Sequence, residues 1–163
     1  MTTAPAAAPA DPLALEAQVC LAMSAAARSL VAFYRPLLEP LGLTHPQYLA
    51  MLALWQHGPL SLRELADLLH LEPGTTSPLV RRLAALGLVE RTRSADDERA
   101  LEIRLTDAGR AMRTQAQGIP ATMVERLGLP LEDVRRIREA AELLLAACAG
   151  ATTGPGACTP GTA

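Results

Sequence analysis

The sequence predicts a mainly α-helical chain with a small β-hairpin wing, a winged helix-turn-helix flanked by long helices at both ends. Three observations carry this. Apolar residues recur every three or four positions through most of the 163 residues. Two short capped helices meet at a turn over His70 to Gly74, the form of a helix-turn-helix. Directly after the second helix the period shortens to two, as strands require.

The elements follow in order. Residues 1–10 are Ala, Pro and Thr, and are expected to be a disordered tail, as are residues 150–163. The body is one domain over 11–149. Asp11-Pro12 opens a first helix, with Leu15, Val19, Ala22, Ala26, Leu30 and Phe33 as its apolar stripe. Pro36 and the Pro40-Leu-Gly42 stretch end it. Thr44 and Gln47 form a capping box for a second helix that stops at Gly58-Pro59. Ser61 and Glu64 form another, starting a short third helix. The fourth runs from about Thr75 to Leu86, and Gly87 caps it.

Residues 88–93 then read as a strand, residues 94–98 as a polar turn, and Leu101, Ile103 and Leu105 as a half-buried strand. Thr106 caps a helix reaching about Gln117. Breaks follow at Gly118-Ile-Pro120 and Gly128-Leu-Pro130. The last helix carries Leu131, Val134, Ile137, Ala141, Leu144, Leu145 and Cys148 at helical spacing. One small wing does not need two long apolar-faced helices. The first and last helices are therefore expected to be dimerisation helices that intertwine with a second copy.

Charge places the working face. The chain is net −2, with 15 basic residues, all arginine. Between Arg81 and Arg113 eight arginines stand against six acids, so this stretch is net positive and the remainder net negative. Phosphate neutralisation drives nucleic-acid binding, so double-stranded DNA would meet the chain here. The second helix of such a motif presents its N-terminal residues to base edges. Those are Thr75, Thr76, Ser77 and Pro78, with Arg81 and Arg82 one turn on and Arg91 and Arg93 on the first strand. At the hairpin tip, Asp97 would hold Arg99 by a charge-assisted pair and aim it into a narrow minor groove. A two-fold dimer sets two such helices about 34 Å apart, matching a palindromic operator.

Other classes are disfavoured. No apolar run reaches the ~20 residues of a membrane span, and no signal peptide precedes the body, so the expected place is the cytoplasm, with no membrane partner. The chain offers no Gly-rich phosphate loop, metal-spaced ligand cluster or nucleophile elbow. No enzyme, metal or cofactor is expected.

The stretch Gly87-Leu-Val-Glu-Arg91, Ser94, Asp97 and Arg99, followed by Leu105-Thr106 and Gly109, resembles the wing signature of the MarR family. That resemblance implies a dimeric winged-helix repressor released by a small ligand or an oxidant. Leu15-Glu-Ala-Gln18-Val-Cys20, then Tyr34-Arg-Pro36, then Leu43-Thr-His-Pro46-Gln-Tyr48, is similar to the OhrR branch of organic-hydroperoxide sensors. It implies that Cys20 is the peroxide-reactive thiol and that Tyr34 hydrogen-bonds it from the partner subunit. His45 and Ser24 stand where that branch usually carries tyrosines, and Leu21 where it carries an aromatic.

The residues themselves set limits on that thiol. Fourteen residues separate Cys20 from Tyr34, roughly 21 Å along a helix, so the two meet only across a dimer. Thiolate character needs a cation or hydrogen-bond donors, and His45 and Tyr34 are the candidates. Cys148 is a candidate resolving thiol, and Cys158 lies in the tail. Two readings stay open: an organic hydroperoxide as inducer acting on Cys20, or a small phenolic or apolar inducer with Cys20 structural.

Overall fold

The computed structural model describes residues 11–93 and 101–152. It divides the chain into two compact units, Met1–Gln117 and Gly118–Ala163, each taken by itself below.

In the first unit Asp11-Pro12 starts a turn, not a helix. The Asp11 carboxylate accepts the Leu13 N–H at 2.9 Å, and a short 3-10 turn follows at Leu15–Ala17. Gln18 then stands in extended backbone while its side-chain amide donates to the Pro12 and Ala14 carbonyls. With those carbonyls satisfied, α1 begins later than expected, at Val19, and runs to Leu38. Pro36 does not end it. A proline removes one helical hydrogen bond, which matters little in a last turn docked by the fully buried Leu38. The stop comes at a second 3-10 turn, Glu39–Leu41, closed by Gly42 at φ 65°, a left-handed conformation that a Cβ would strain.

α2 spans His45–His57, opened by the expected box: the Thr44 N–H donates to Gln47 Oε1 at 2.8 Å. Beyond Gly58, Leu60–Ser61 form a two-residue strand β1, too short for any periodicity to mark. Ser61 then caps α3, Leu62–Leu68, donating its N–H to Glu64 Oε2 at 2.8 Å and accepting the Glu64 N–H at 3.2 Å. The chain turns through His70, a non-glycine residue at φ 52°. α4 starts at Pro73, earlier than expected, because Glu72 is its extended cap and proline suits a first turn; it ends at Ala85.

β2 (Val89–Arg93) and β3 (Leu101–Leu105) make the hairpin, and the sheet is antiparallel in the order β1-β3-β2. Val89 pairs with Leu105, Glu90 with Arg104, and Arg91 with Ile103. Alternation sends Leu60, Val89 and Ile103 into a core shared with Met51, Leu54, Leu65, Val80 and Leu83. That core is aliphatic, as a composition with 2% aromatics requires, Tyr48 being its one large ring.

α5 (Asp107–Ala116) closes the unit. The Thr106 hydroxyl accepts the Gly109 N–H at 3.1 Å and donates to the Gly87 carbonyl at 2.6 Å. The Thr106 N–H donates to the Leu88 carbonyl at 3.1 Å. Trp55 Nε1 donates to the Gly109 carbonyl at 2.9 Å, tying α2 to the same point.

In the second unit, Ile119–Leu127 form α6, a helix the sequence reading passed over as two breaks. Pro120 occupies its first turn, where a missing N–H costs nothing, and Gly128 ends it. α7 runs Leu131–Thr152, three residues past the expected body. Exposed ion pairs run along it, Glu132–Arg135 at 2.7 Å and Arg138–Glu142 at 2.6 Å.

One substitution tests this packing. A Cβ at Gly109 would run into the Leu88 carbonyl oxygen and sit 3.2 Å from the Leu105 side chain. That oxygen is already held by Thr106, so it has no room to give. Gly109→Ala is expected to destabilise the protein by about 1–3 kcal/mol, read as a lower urea midpoint at unchanged slope.

Candidate nucleic-acid interface and thiol site

The first turn of α4 decides which side chains face outward. Thr76, Leu79, Val80 and Leu83 form its buried stripe, three and four residues apart. Thr76 is 0% exposed and its hydroxyl donates to the Glu72 carbonyl at 3.1 Å. It was expected among the base-reading residues; lying three residues before Leu79 and four before Val80, it falls on the stripe that packs into the core, and it is corrected to a packing residue. Thr75, Arg81 and Arg82 are exposed, and Ser77 and Pro78 half-buried, on the opposite side.

Pro73 and Gly74, both exposed, also belong to this first turn. Sequence reasoning missed them by taking Gly74 as part of the preceding turn. Glu72-Pro73, a residue able to stand extended before a first-turn proline, was the available signal. Arg91 is exposed on β2, and Arg93 ends that strand opposite Leu101. Asp97 and Arg99 lie outside the described residues.

The thiol-related residues separate into two places within one chain. Cys20 is the second residue of α1 and is exposed. Tyr34 lies near the other end, where its ring centroid is 5.0 Å from that of His45 and 6.0 Å from that of Tyr48. The structure thus brings Tyr34 and His45 together, adds Tyr48, and leaves Cys20 roughly 21 Å away along the helix.

Burial raises the Tyr34 phenol above its ordinary value and raises Tyr48 likewise, with Tyr34 adding to the latter. Burial also lowers the His45 imidazole. The cluster therefore offers neutral hydrogen-bonding groups near neutral pH; the expected cationic His45 beside a thiolate is not what this packing favours. Cys148, expected on an apolar core face, is exposed on α7. Among the described residues no group of three His, Cys, Asp or Glu side chains could hold a metal ion, and no helix is long and apolar enough to cross a membrane.

Much apolar surface on the long helices stands uncovered. Val19 is 60% exposed on α1, and Leu131 and Leu143 on α7 are 72% and 73% exposed. Leu21, Met23, Leu30 and Val31 continue this on α1, and Ile137 and Leu145 on α7.

Comparison with known proteins agrees with this arrangement. The family model described as MarR family matches residues 43–101. The organic hydroperoxide resistance transcriptional regulator of Bacillus subtilis is 37% identical over 135 residues, covering 83% of this chain and 92% of that one. Among solved structures, reduced AbfR bound to DNA aligns with a TM-score of 0.68 and 30% identity, over 82% of this chain and 94% of that one. Disulfide-formed AbfR aligns at 0.59 and 28%, over 83% and 92%; AbfR is a protein of Staphylococcus epidermidis.

The His45 environment carries a pH signature. A histidine whose folded value lies below its ordinary 6.5 binds fewer protons in the fold than in the unfolded chain. Stability is then intact above 6.5 and falls as pH drops from there towards the shifted value. Denaturant midpoints of the wild type should decline across that window, and His45→Gln should flatten the decline.

Proposed function

The chain belongs to the MarR family, and from that premise we propose that it is a dimeric repressor whose grip on a palindromic operator ends when Cys20 is oxidised by an organic hydroperoxide. The observation that carries the redox part is the position of Cys20: an exposed thiol at the start of a helix whose neighbours Val19, Leu21 and Met23 are apolar and uncovered. Burying those faces against a second copy sets the thiol at a subunit boundary. There Tyr34, with His45 and Tyr48 behind it, can come from the partner.

Duplex DNA is read by the outward side of α4, through Thr75, Ser77 and Pro78 with Arg81 and Arg82 on phosphate or guanine. Arg91, Arg93 and the Asp97–Arg99 pair serve the hairpin, Arg99 entering the minor groove. The thiolate attacks one peroxide oxygen, the O–O bond breaks, and an alcohol leaves; Cys20 becomes a sulfenic acid. Cys148 of the second copy could then displace water from it to form a disulfide. A polar or cross-linked group at the boundary shifts the helices and misplaces the two α4 segments. Release by ~100-fold requires a coupling of only about 2.7 kcal/mol.

A second reading keeps the fold and replaces the oxidant with a small phenolic or apolar inducer. The neutral His45 favours it, because a thiol without a nearby cation is less reactive.

Cys20→Ser separates the two. The redox repressor carrying this change should hold its operator in cumene hydroperoxide, while the wild type lets go and recovers with thiol reductant; equal release by both proteins would reject the role of Cys20. Arg82→Ala should weaken operator binding, as measured by fluorescence anisotropy at several salt concentrations: an equal loss on every duplex with a salt slope lower by about one marks a phosphate contact, and a loss confined to the operator marks a guanine contact.

A further inference from the structure

His45 is the one half-buried histidine of the chain; His57 and His70 are exposed. It is the first residue of α2, directly after the Thr44 cap. Its ring lies against α1, with its centroid 5.0 Å from that of Tyr34, and Tyr34 in turn stands 6.0 Å from Tyr48. It also lines a cavity of about 480 Å³ at the junction of α1 and α2, together with Arg35, Glu39 and Val31.

A proton on this ring meets three penalties. The charge would be held partly out of water, and burial already keeps the imidazole below its ordinary value. The charge would stand at the first turn of a thirteen-residue helix, the end that the backbone dipole makes positive. Arg35 brings the same sign to the shared cavity. Tyr34 and Glu39 pull the other way. Glu39 is exposed, so solvent screens it, and Tyr34 offers a tilted ring in place of a full face. Tyr48 adds a neutral phenol behind them.

The same turn reaches the DNA-facing helix. Thr44 and Pro46 also line a second cavity, of about 330 Å³, whose α4 side includes Thr75, Pro78 and Arg82. The Thr44 N–H and hydroxyl both donate to Gln47 Oε1, at 2.8 and 3.0 Å, so the turn moves as one piece. Two residues of this turn thus border both the imidazole and the reading side of α4.

We propose that His45 is a proton-operated release: acidification charges its ring, loosens the α1–α2 junction and weakens the grip of α4 on the operator, with no change at Cys20. The inference rests on the reading of the chain as a DNA-binding regulator and adds a second input to it. Protonation favours whichever arrangement lets the ring reach water, and that arrangement displaces the turn against which Thr75, Pro78 and Arg82 are set. The sign is diagnostic. A proton gained by an exposed histidine adds positive charge and strengthens binding to phosphate, so without His45 acid would tighten the complex.

Operator affinity is measured by fluorescence anisotropy at about pH 7.5 and about pH 5.5, on either side of the ordinary histidine range, in thiol reductant and at fixed ionic strength. Far-UV circular dichroism checks that the fold is kept at both. The wild-type Kd should rise about fivefold or more on acidification. His45→Gln should reverse the trend and bind as well or better at the lower pH, whereas His57→Gln and His70→Gln should keep the decline. By reciprocity the His45 ring, followed through its Cε1 proton resonance, should titrate at a lower pH in the operator complex than in the free protein. This second readout needs no variant to fold. A wild-type Kd that is flat or falls with acid, a decline that survives in His45→Gln, or equal titration midpoints would each overturn the switch and leave the regulator reading intact. No affinity for any duplex at either pH would overturn both.

Discussion

The lock between Thr106, Gly109 and the Gly87–Leu88 carbonyls holds the DNA-binding unit in one arrangement. Through one hydroxyl and one backbone N–H, Thr106 caps α5, closes the end of α4 and starts the return from the hairpin. Gly109 lets α5 sit against the Leu88 carbonyl with no side chain between, and its own carbonyl receives the Trp55 indole. Four elements converge on a few atoms. The outward side of α4 and the direction of the hairpin are therefore set together, and a change at this point would move both. This gives a physical reason for Thr and Gly at these positions: a cap that can also donate, and a residue without a Cβ.

The long helices obey a different constraint. Each buries too little of its apolar surface within one chain to account for its length. α7 shows the split within itself: its charged residues pair at three and four positions, while Leu131, Ile137 and Leu143 stand in water. Paired charges at that spacing add only a few tenths of a kcal/mol each, so they keep the helix soluble more than they hold it in place. Covering the apolar side is worth far more, about 25 cal/mol for each Å² removed from water. That difference is why assembly, and not helix propensity, is the natural source of order for these segments.

What the sequence disclosed was what local chemistry controls. Thr44 with Gln47, Ser61 with Glu64, and Thr106 before Asp107 each announced a helix start, and each makes the expected bond. The alternation of Leu101, Ile103 and Leu105 likewise marked β3. Errors arose where one signal had two uses. Asp-Pro begins turns as readily as helices, and Pro120 both interrupts a helix and opens one. Thr76 was presumed a reader because it stands in the first turn of α4, although its spacing of three and four residues from Leu79 and Val80 already put it on the buried side. The meeting of Tyr34, His45 and Tyr48 depends on how α1 returns onto α2, which no periodicity encodes. Asp97 and Arg99 fall outside the described residues, so their pairing stays a proposal from pattern alone.

The order of the sheet has a consequence for the solubility of the protein. With β3 in the middle, β2 borders the described sheet and has a strand neighbour on one side only. Backbone groups along such a border can template stacking of chain upon chain, and natural proteins often guard it with charge. Here Glu90, Arg91 and Arg93 sit along that five-residue border. The arginines proposed to face the duplex from this strand would thus also act as sentries when no nucleic acid is bound, repelling the same border on another molecule. Replacing them with neutral residues to weaken DNA contacts would remove that protection too, and the variant would be expected to aggregate at concentrations the parent tolerates.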